Sequence, residues 1–114
     1  MYVKKTYVVG AEMINEVRVT KRAQKSLSQV PRQVAANFFV WTREVEEHGV
    51  EAVRKIPGYH DEGLRGKLGS GIRSVRVGLG YRVFYRVIGL TVKCLLVEEV
   101  NKHDYKKVER MFGV

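Results

Sequence analysis

Residues 58–105 read GYHDEGLRGKLGSGIRSVRVGLGYRVFYRVIGLTVKCLLVEEVNKHDY and contain the pattern that decides the fold. Three short runs within them alternate apolar and polar residues with a period of two, which is typical of β-strands. Glycine turns at 78–80 and 89–90 separate the runs, and connections this short predict antiparallel hairpins rather than crossover helices. The predicted strands are IRSVRVG, YRVFYRVIG and TVKCLLVEEV.

The residues before this stretch predict a strand followed by helices. Val17 and Val19 alternate with charged residues, which indicates a first strand. Thr20 is a suitable N-cap for the helical sequence KRAQKSLSQV. A longer helix is expected from about Pro31 to Glu47, since proline suits a first helical turn and apolar residues follow at helical spacing. These apolar residues are Val34, Phe38, Trp41 and Val45.

Together these patterns predict an α+β fold in one domain, residues 1–114, because a chain of this length suits a single domain. We expect a small antiparallel sheet with an N-terminal strand, two helices on one face and three C-terminal strands. The sequence GVEAVRKI predicts a further helical piece, and DYKKVERM predicts a short terminal helix over 104–111. Residues 1–11 are interpreted as an N-terminal extension.

The chain is strongly basic. It has 21 Lys and Arg against 12 Asp and Glu, a net charge of +9 and a pI near 9.9. Such a charge favours polyanionic partners, first nucleic acid and then an acidic protein or a membrane surface. The N-terminus lacks the apolar core of a signal peptide, and no run approaches the roughly 18 apolar residues of a membrane span. We therefore expect a cytoplasmic protein without a membrane partner.

Several other kinds of site are disfavoured by residue spacing. GLGYRV joins two predicted strands, so its glycines indicate a turn rather than a dinucleotide site. LRGKLGSG lacks the spacing of a phosphate-binding loop. The adjacent residues His60, Asp61 and Glu62, like the pair at 103–104, are poorly placed to bind one metal ion, and Cys94 lies in an apolar run typical of a buried thiol. No metal or cofactor is expected.

The charged residues of this stretch suit cleavage of RNA without a metal ion. That reaction needs a base for the 2′-OH, an acid for the leaving 5′-oxygen and cations for the phosphorane. Glu62 or His60 is the candidate base, His103 the candidate acid, and Tyr105 could stack on a base or position the phosphate. The candidate phosphate-binding residues besides Arg82 are Arg65, Lys67, Arg73, Arg76 and Arg86.

Strand alternation places some of these arginines together. If Val83 and Tyr85 face the helices, then Arg82, Phe84 and Arg86 lie on the opposite face. A face with several arginines can bind an anion, but it can equally be the solvated side of an antiparallel sheet. Alternation by itself favours the solvated interpretation.

The motifs L-R-G-K, R-S-V-R-V-G, G-Y-R-V-F-Y-R-V and E-V-N-K-H-D-Y resemble those of the RelE/ParE toxin superfamily, most closely its RelE, YoeB and HigB-like branch of mRNA interferases. The resemblance covers the chain from about Val17 to the C-terminus. It implies the toxin of a type II toxin–antitoxin system, a ribosome-dependent endoribonuclease that leaves a 2′,3′-cyclic phosphate. Its implied partners are mRNA, the ribosome and an acidic antitoxin.

The resemblance also implies roles for four residues. Glu62 matches the proposed base, Arg82 the phosphate-binding arginine, His103 the acid and Tyr105 the tyrosine that follows it. The sequence departs from its relatives at Asp104, which separates His103 from Tyr105, and it lacks the paired lysines of RelE. Two alternatives remain: a ParE-like inhibitor that binds DNA gyrase, and a basic module that binds RNA without cleaving it.

Overall fold

The central element of the sheet is a strand, β4, that covers Tyr81–Ile88. The structure is a computed structural model, and it describes residues 13–64 and 71–99 of the chain. The α+β class predicted from the sequence is confirmed. The other elements are β1 (Glu16–Val19), α1 (Lys21–Leu27), α2 (Arg32–His48), α3 (Val50–Arg54), a 3-10 turn (Pro57–Tyr59), β2 (Glu62–Gly63), β3 (Ile72–Gly78) and β5 (Thr91–Glu99).

The five strands form one sheet in the order β1-β5-β4-β3-β2. β3, β4 and β5 are joined by hairpins and pair antiparallel, as predicted. β1 instead runs parallel to β5, so the sheet is mixed and the expectation of a wholly antiparallel sheet was wrong on this point. The parallel pairing sets Val17 beside Val92 and Val19 beside Cys94, and all four side chains then reach the same core.

The helices cover one face of the sheet and build the main core there. α1 begins where predicted, because the Thr20 hydroxyl oxygen accepts a hydrogen bond of 3.1 Å from the backbone N–H of Ala23. In α2 the buried residues are those predicted from helical spacing, and Trp41 packs against Tyr85 of β4 with ring centroids 5.4 Å apart. Cys94 is also buried in this core.

The opposite face of the sheet has an apolar cluster of its own. Phe84 shares this face with the arginines, as alternation predicted, yet it is fully buried. It packs with Ile72 and Leu96, which are also buried, while Leu64 and Leu95 lie partly buried against them. The face that we call the arginine face is therefore an apolar patch bordered by cations, and not a uniformly solvated surface.

Two predicted elements fall outside the described residues: the extension at 1–11 and the terminal helix at 104–111. In the part of the chain that the structure does describe, no helix has the length and apolar character needed to cross a membrane.

Candidate active site

Arg82 lies on β4 and is held by contacts from two neighbouring elements. Its Nε donates a hydrogen bond of 2.9 Å to the Ser74 hydroxyl of β3, and its Nη2 donates one of 3.3 Å to the Ser74 carbonyl. Nη2 also donates a 2.6 Å hydrogen bond to the carbonyl oxygen of His60. The side chain is 13% exposed, so the guanidinium is fixed in position but still reaches the surface.

Glu62 is the acidic group beside this guanidinium. It is paired with Ser74 in the β2–β3 ladder, and its Oε1 lies 3.7 Å from Arg82 Nη2. The Glu62 side chain is 56% exposed, so water screens this ion pair. A carboxylate held next to a cation and open to solvent can accept a proton from a hydroxyl group that binds there.

His60, the second candidate base, contacts Arg82 through its backbone rather than its imidazole. It follows the 3-10 turn with φ 44° and ψ 50°, in the left-handed region that non-glycine residues seldom adopt. This conformation directs its carbonyl oxygen to Arg82 Nη2. The His60 residue as a whole is exposed.

Asp61, between the two candidate bases, is buried and fully engaged. Its side chain is 1% exposed. Oδ1 accepts a 2.6 Å hydrogen bond from Arg73 Nε, and Oδ2 accepts a 2.5 Å hydrogen bond from the Tyr85 hydroxyl. The same hydroxyl accepts a 3.2 Å hydrogen bond from Arg54 Nε. These four residues, which we call the Asp61 network, tie the loop at 60–62 to β3, β4 and α3.

The network changes the pKa of two of its members. Burial, and secondarily the hydrogen bond to Asp61, raise the pKa of Tyr85 well above its usual range, although Arg54 acts in the opposite direction. Burial alone would lower the pKa of Arg73, but its hydrogen bond and charge interaction with Asp61 outweigh burial and raise it. Tyr85 is therefore a neutral phenol and Arg73 a charged partner in the folded protein.

The other predicted cations of the described strands divide between the two faces of the sheet. Arg76 is exposed and stands directly opposite Arg82 in the β3–β4 ladder. Side chains of like charge that stand directly opposite each other, with Cβ atoms about 5 Å apart, destabilise a sheet unless an anion lies near them. Arg86 lies further along the arginine face, and within the described structure its Nε is buried without a hydrogen-bond partner. Arg73 is on the helix-covered face, opposite Tyr85 and bound to Asp61.

The structure thus brings Glu62, Arg82 and Arg76 together and separates Arg73 from them. The remaining predicted residues lie outside the described residues: Arg65, Lys67, His103 and Tyr105.

Sequence reasoning missed the residues that hold Arg82 in place. Ser74 is fully buried on the arginine face, and its position in the IRSVRVG alternation puts it on the same side as Arg76. A small polar residue between apolar strand positions was the available signal for a buried hydrogen bond. For Asp61 there was no such signal, because no local sequence pattern distinguishes a buried carboxylate from an exposed one.

No protein-family model matches the sequence, and no curated protein matches it significantly. Solved structures do match. The RelBE2 toxin–antitoxin complex of Mycobacterium tuberculosis matches with 26% identity and a TM-score of 0.54, over 75% of this chain and 96% of the matched chain. The archaeal RelE–RelB complex of Pyrococcus horikoshii matches with 22% identity and a TM-score of 0.60, over 79% and 99%.

The fold is also similar to that of two other toxins at lower identity. For the YoeB/ParE toxin of Agrobacterium tumefaciens the identity is 15% and the TM-score 0.57, over 75% of this chain and 99% of that one. For YafQ of E. coli the identity is 9% and the TM-score 0.61, over 75% and 92%. Each match covers nearly the whole toxin, and the resemblance first seen in the sequence motifs is confirmed. By its fold and these matches, the chain belongs to the RelE-like toxin superfamily.

Proposed function

We propose that this protein is the toxin of a type II toxin–antitoxin system and that it cleaves mRNA on the ribosome. The observation that carries the proposal is the Arg82 site. A guanidinium is anchored at Nε and Nη2, a carboxylate lies 3.7 Å away, and a second arginine stands across the ladder. The same fold occurs in solved structures of toxin–antitoxin complexes.

The proposed chemistry assigns each group a step. Glu62 takes the proton of the 2′-OH, and the 2′-oxygen attacks the phosphorus. Arg82 binds the non-bridging oxygens as negative charge builds up on the phosphorane, and such electrostatic stabilisation is often the largest contribution to catalysis. His103 protonates the leaving 5′-oxygen while Tyr105 positions the phosphate. The products are a 2′,3′-cyclic phosphate and a free 5′-OH.

The geometry of Arg82 suits this role. Its Nε donates to the Ser74 hydroxyl, and its Nη2 donates to the carbonyl oxygens of His60 and Ser74. A guanidinium binds phosphate through parallel N–H groups. Because these contacts already hold the side chain, the guanidinium can bind an oxyanion with little further loss of side-chain freedom.

The neighbouring cations are proposed to bind the RNA backbone. Arg76 and Arg86 share the arginine face with Arg82, and Arg65 and Lys67 precede β3 in the sequence. In this proposal Arg73 supports the loop instead, because its guanidinium is bound to the buried Asp61.

The proposed partners follow from the charge and from the relatives. A chain with a net charge of +9 attracts the ribosome and mRNA through long-range electrostatics. The same charge suits an acidic antitoxin that covers the arginine face. The matching structures from Mycobacterium tuberculosis and Pyrococcus horikoshii are both toxin–antitoxin complexes, which supports a protein partner of this kind.

A translation reaction tests the proposal. The protein is added with and without ribosomes, and mRNA ends are mapped by primer extension. We expect cuts that are in phase with codons and require ribosomes. In Arg82→Ala we expect the cleavage rate to be roughly 10²–10³-fold lower than in the wild type. Arg43→Ala is the matched control, since it removes the same charge from an exposed position on α2, across the sheet from Arg82.

Three outcomes would contradict the proposal. Equal activity of Arg82→Ala and Arg43→Ala would remove Arg82 from the site. An absence of cuts together with stalled gyrase–DNA complexes would indicate a gyrase inhibitor instead. Salt-sensitive RNA binding without cleavage would indicate a non-catalytic module.

A further inference from the structure

Asp61 anchors the loop that carries both candidate bases, His60 and Glu62. The side chain of Asp61 is buried, whereas His60 and Glu62, on either side, are exposed. Taking a carboxylate out of water is costly unless it is paired and hydrogen-bonded. Both oxygens of Asp61 are used in this way, one by a cation and one by a hydroxyl.

The partners of Asp61 are themselves fixed by the core. Tyr85 is fully buried and packs against Trp41 of α2, with the two rings tilted by 50°. Arg54 of α3 donates to the Tyr85 hydroxyl, so a helix, two strands and the loop meet at this point. A group held by several packed elements has little freedom to shift.

The loop conformation needs such support. His60 is a non-glycine residue with φ 44°, a strained conformation that persists only where its surroundings impose it. Its carbonyl oxygen is the acceptor of the 2.6 Å hydrogen bond from Arg82 Nη2. Glu62, one position after Asp61, supplies the carboxylate near the same Nη2.

From this geometry we infer that Asp61 is a positioning residue for the Arg82 site. Anchored to Arg73 and Tyr85, it fixes the His60 carbonyl and the Glu62 carboxylate relative to the Arg82 guanidinium. Asp61 touches neither RNA nor the reacting atoms. Its consequence for cleavage rests on the proposed function, whereas its effect on the position of Arg82 does not.

Two variants test this inference in the full chain. Asp61→Asn keeps the shape of the side chain but removes the charge that Arg73 pairs with. Tyr85→Phe removes the hydrogen bonds of the hydroxyl to Asp61 and Arg54 and leaves the ion pair of Asp61 with Arg73, so it serves if Asp61→Asn does not fold. Val92→Ala is the control. Val92 is fully buried near the start of β5, roughly 20 Å along the strand from Glu98, the residue that pairs with Arg82.

The first measurement follows Arg82 directly. The Nε–Hε resonance of Arg82, assigned by its absence from Arg82→Lys, is recorded by ¹⁵N NMR in each variant. We expect a changed shift and faster hydrogen exchange in Asp61→Asn and Tyr85→Phe, and no change in Val92→Ala. An unchanged Arg82 resonance in both network variants would overturn the inference.

The second measurement separates positioning from stability. The single-turnover cleavage rate and the half-saturating ribosome concentration are measured well below the melting temperature. We expect the rate to fall roughly 10–100-fold, as for small misplacements of reacting groups, while half-saturation is unchanged. A wild-type rate in Asp61→Asn, or a loss no larger than in Val92→Ala, would overturn the inference. If the wild-type protein cuts no mRNA, the proposed function fails and the NMR measurement alone decides about Asp61.

Discussion

The Nη2 atom of Arg82 donates a 2.6 Å hydrogen bond to the backbone carbonyl oxygen of His60, 22 positions earlier in the chain. This contact joins the centre of the sheet to a loop in a strained conformation. It also means that the histidine contributes to the site through its backbone, whatever its imidazole does. The side chain and the main chain of one residue can therefore be tested separately.

The Ser74 hydroxyl is predicted to hold Arg82 in place. It is fully buried and accepts the 2.9 Å hydrogen bond from Arg82 Nε. Ser74→Ala should lower the free energy of unfolding by about 1 kcal/mol, the usual value of a lost hydrogen bond, and should slow cleavage. Urea denaturation and the cleavage assay measure the two effects. The decisive result is the cleavage rate, corrected for any unfolded fraction of the variant. A wild-type rate would show that the Nε contact does not position the guanidinium.

Tyr85 is predicted to make the protein less stable at alkaline pH. Because its pKa in the folded state is raised by burial above the ordinary value of 10.0, folding favours the neutral phenol. Its contribution is fully present below pH 10 and is lost as the pH rises through the folded-state pKa. The free energy of unfolding should fall above pH 10 by at most about 1.4 kcal/mol per pH unit from this group.

The matching variant is Tyr85→Phe, which has no hydroxyl to titrate. Urea denaturation at pH 9, 10 and 10.5 should give a shallower decline for this variant than for the wild type. Tyr59 also has a pKa raised by burial and by Glu44, so Tyr59→Phe should remove a separate part of the slope. Parallel wild-type and Tyr85→Phe curves would contradict the predicted linkage.

Cys94 is predicted to be unreactive in the native protein. It is fully buried in the folded protein, and this burial raises the pKa of its thiol to about 12. Labelling with a chromogenic disulfide at pH 8 should therefore be slow in buffer and should accelerate with urea in step with unfolding measured by circular dichroism. Rapid stoichiometric labelling without urea would place the thiol at the surface.

Much of the sheet follows from local sequence. The period of two on β4 puts Val83 and Tyr85 in the core and Arg82 on the other face, because alternation depends only on the pleat of one strand. The parallel pairing of β1 with β5 was not predicted. Which edge a strand joins is decided by how α1 packs on the sheet and by contacts such as Thr20 N–H to the Cys94 carbonyl, and these are not local.

The candidate site, like the sheet, could be predicted from the sequence only in part. The resemblance in the motifs selected Glu62 and Arg82, which do lie together. The buried state of Asp61 was not predictable, since the HDEG sequence is equally compatible with an exposed acid. Burial there depends on Tyr85, 24 positions later in the chain, whose hydroxyl donates to Asp61 and accepts a hydrogen bond from Arg54 of α3 once the helices cover the sheet. Phe84 was likewise assigned to the correct face but not to an apolar cluster.

Thr20 is predicted to matter for stability and not for cleavage. Its hydroxyl caps α1 through Ala23 and donates a 3.3 Å hydrogen bond to the Leu95 carbonyl of β5. Thr20→Ala should lower the free energy of unfolding by about 1 kcal/mol, as for other lost N-caps. Thermal unfolding measures the loss. The cleavage rate at 25 °C should equal that of the wild type. A reduced rate would show that the N-cap of α1 affects the Arg82 site.

The last prediction distinguishes the two candidate bases. His60 presents its carbonyl oxygen to Arg82 from a left-handed conformation, and asparagine tolerates that conformation better than most residues. His60→Asn should therefore keep the carbonyl in place and retain cleavage within about threefold, since it removes no group with a proposed chemical step. Glu62→Gln removes the proposed base and should slow cleavage roughly 10²–10⁴-fold.

The comparison is informative because the two residues flank the same buried Asp61 and neither substitution alters it. Both variants are measured by single-turnover cleavage over pH 5–9. If Glu62 is the base, His60→Asn should cut at nearly the wild-type rate, while Glu62→Gln should cut far more slowly at every pH measured. A large loss in His60→Asn together with near-normal cleavage in Glu62→Gln would reverse the assignment, because the imidazole would then be the group that takes the proton.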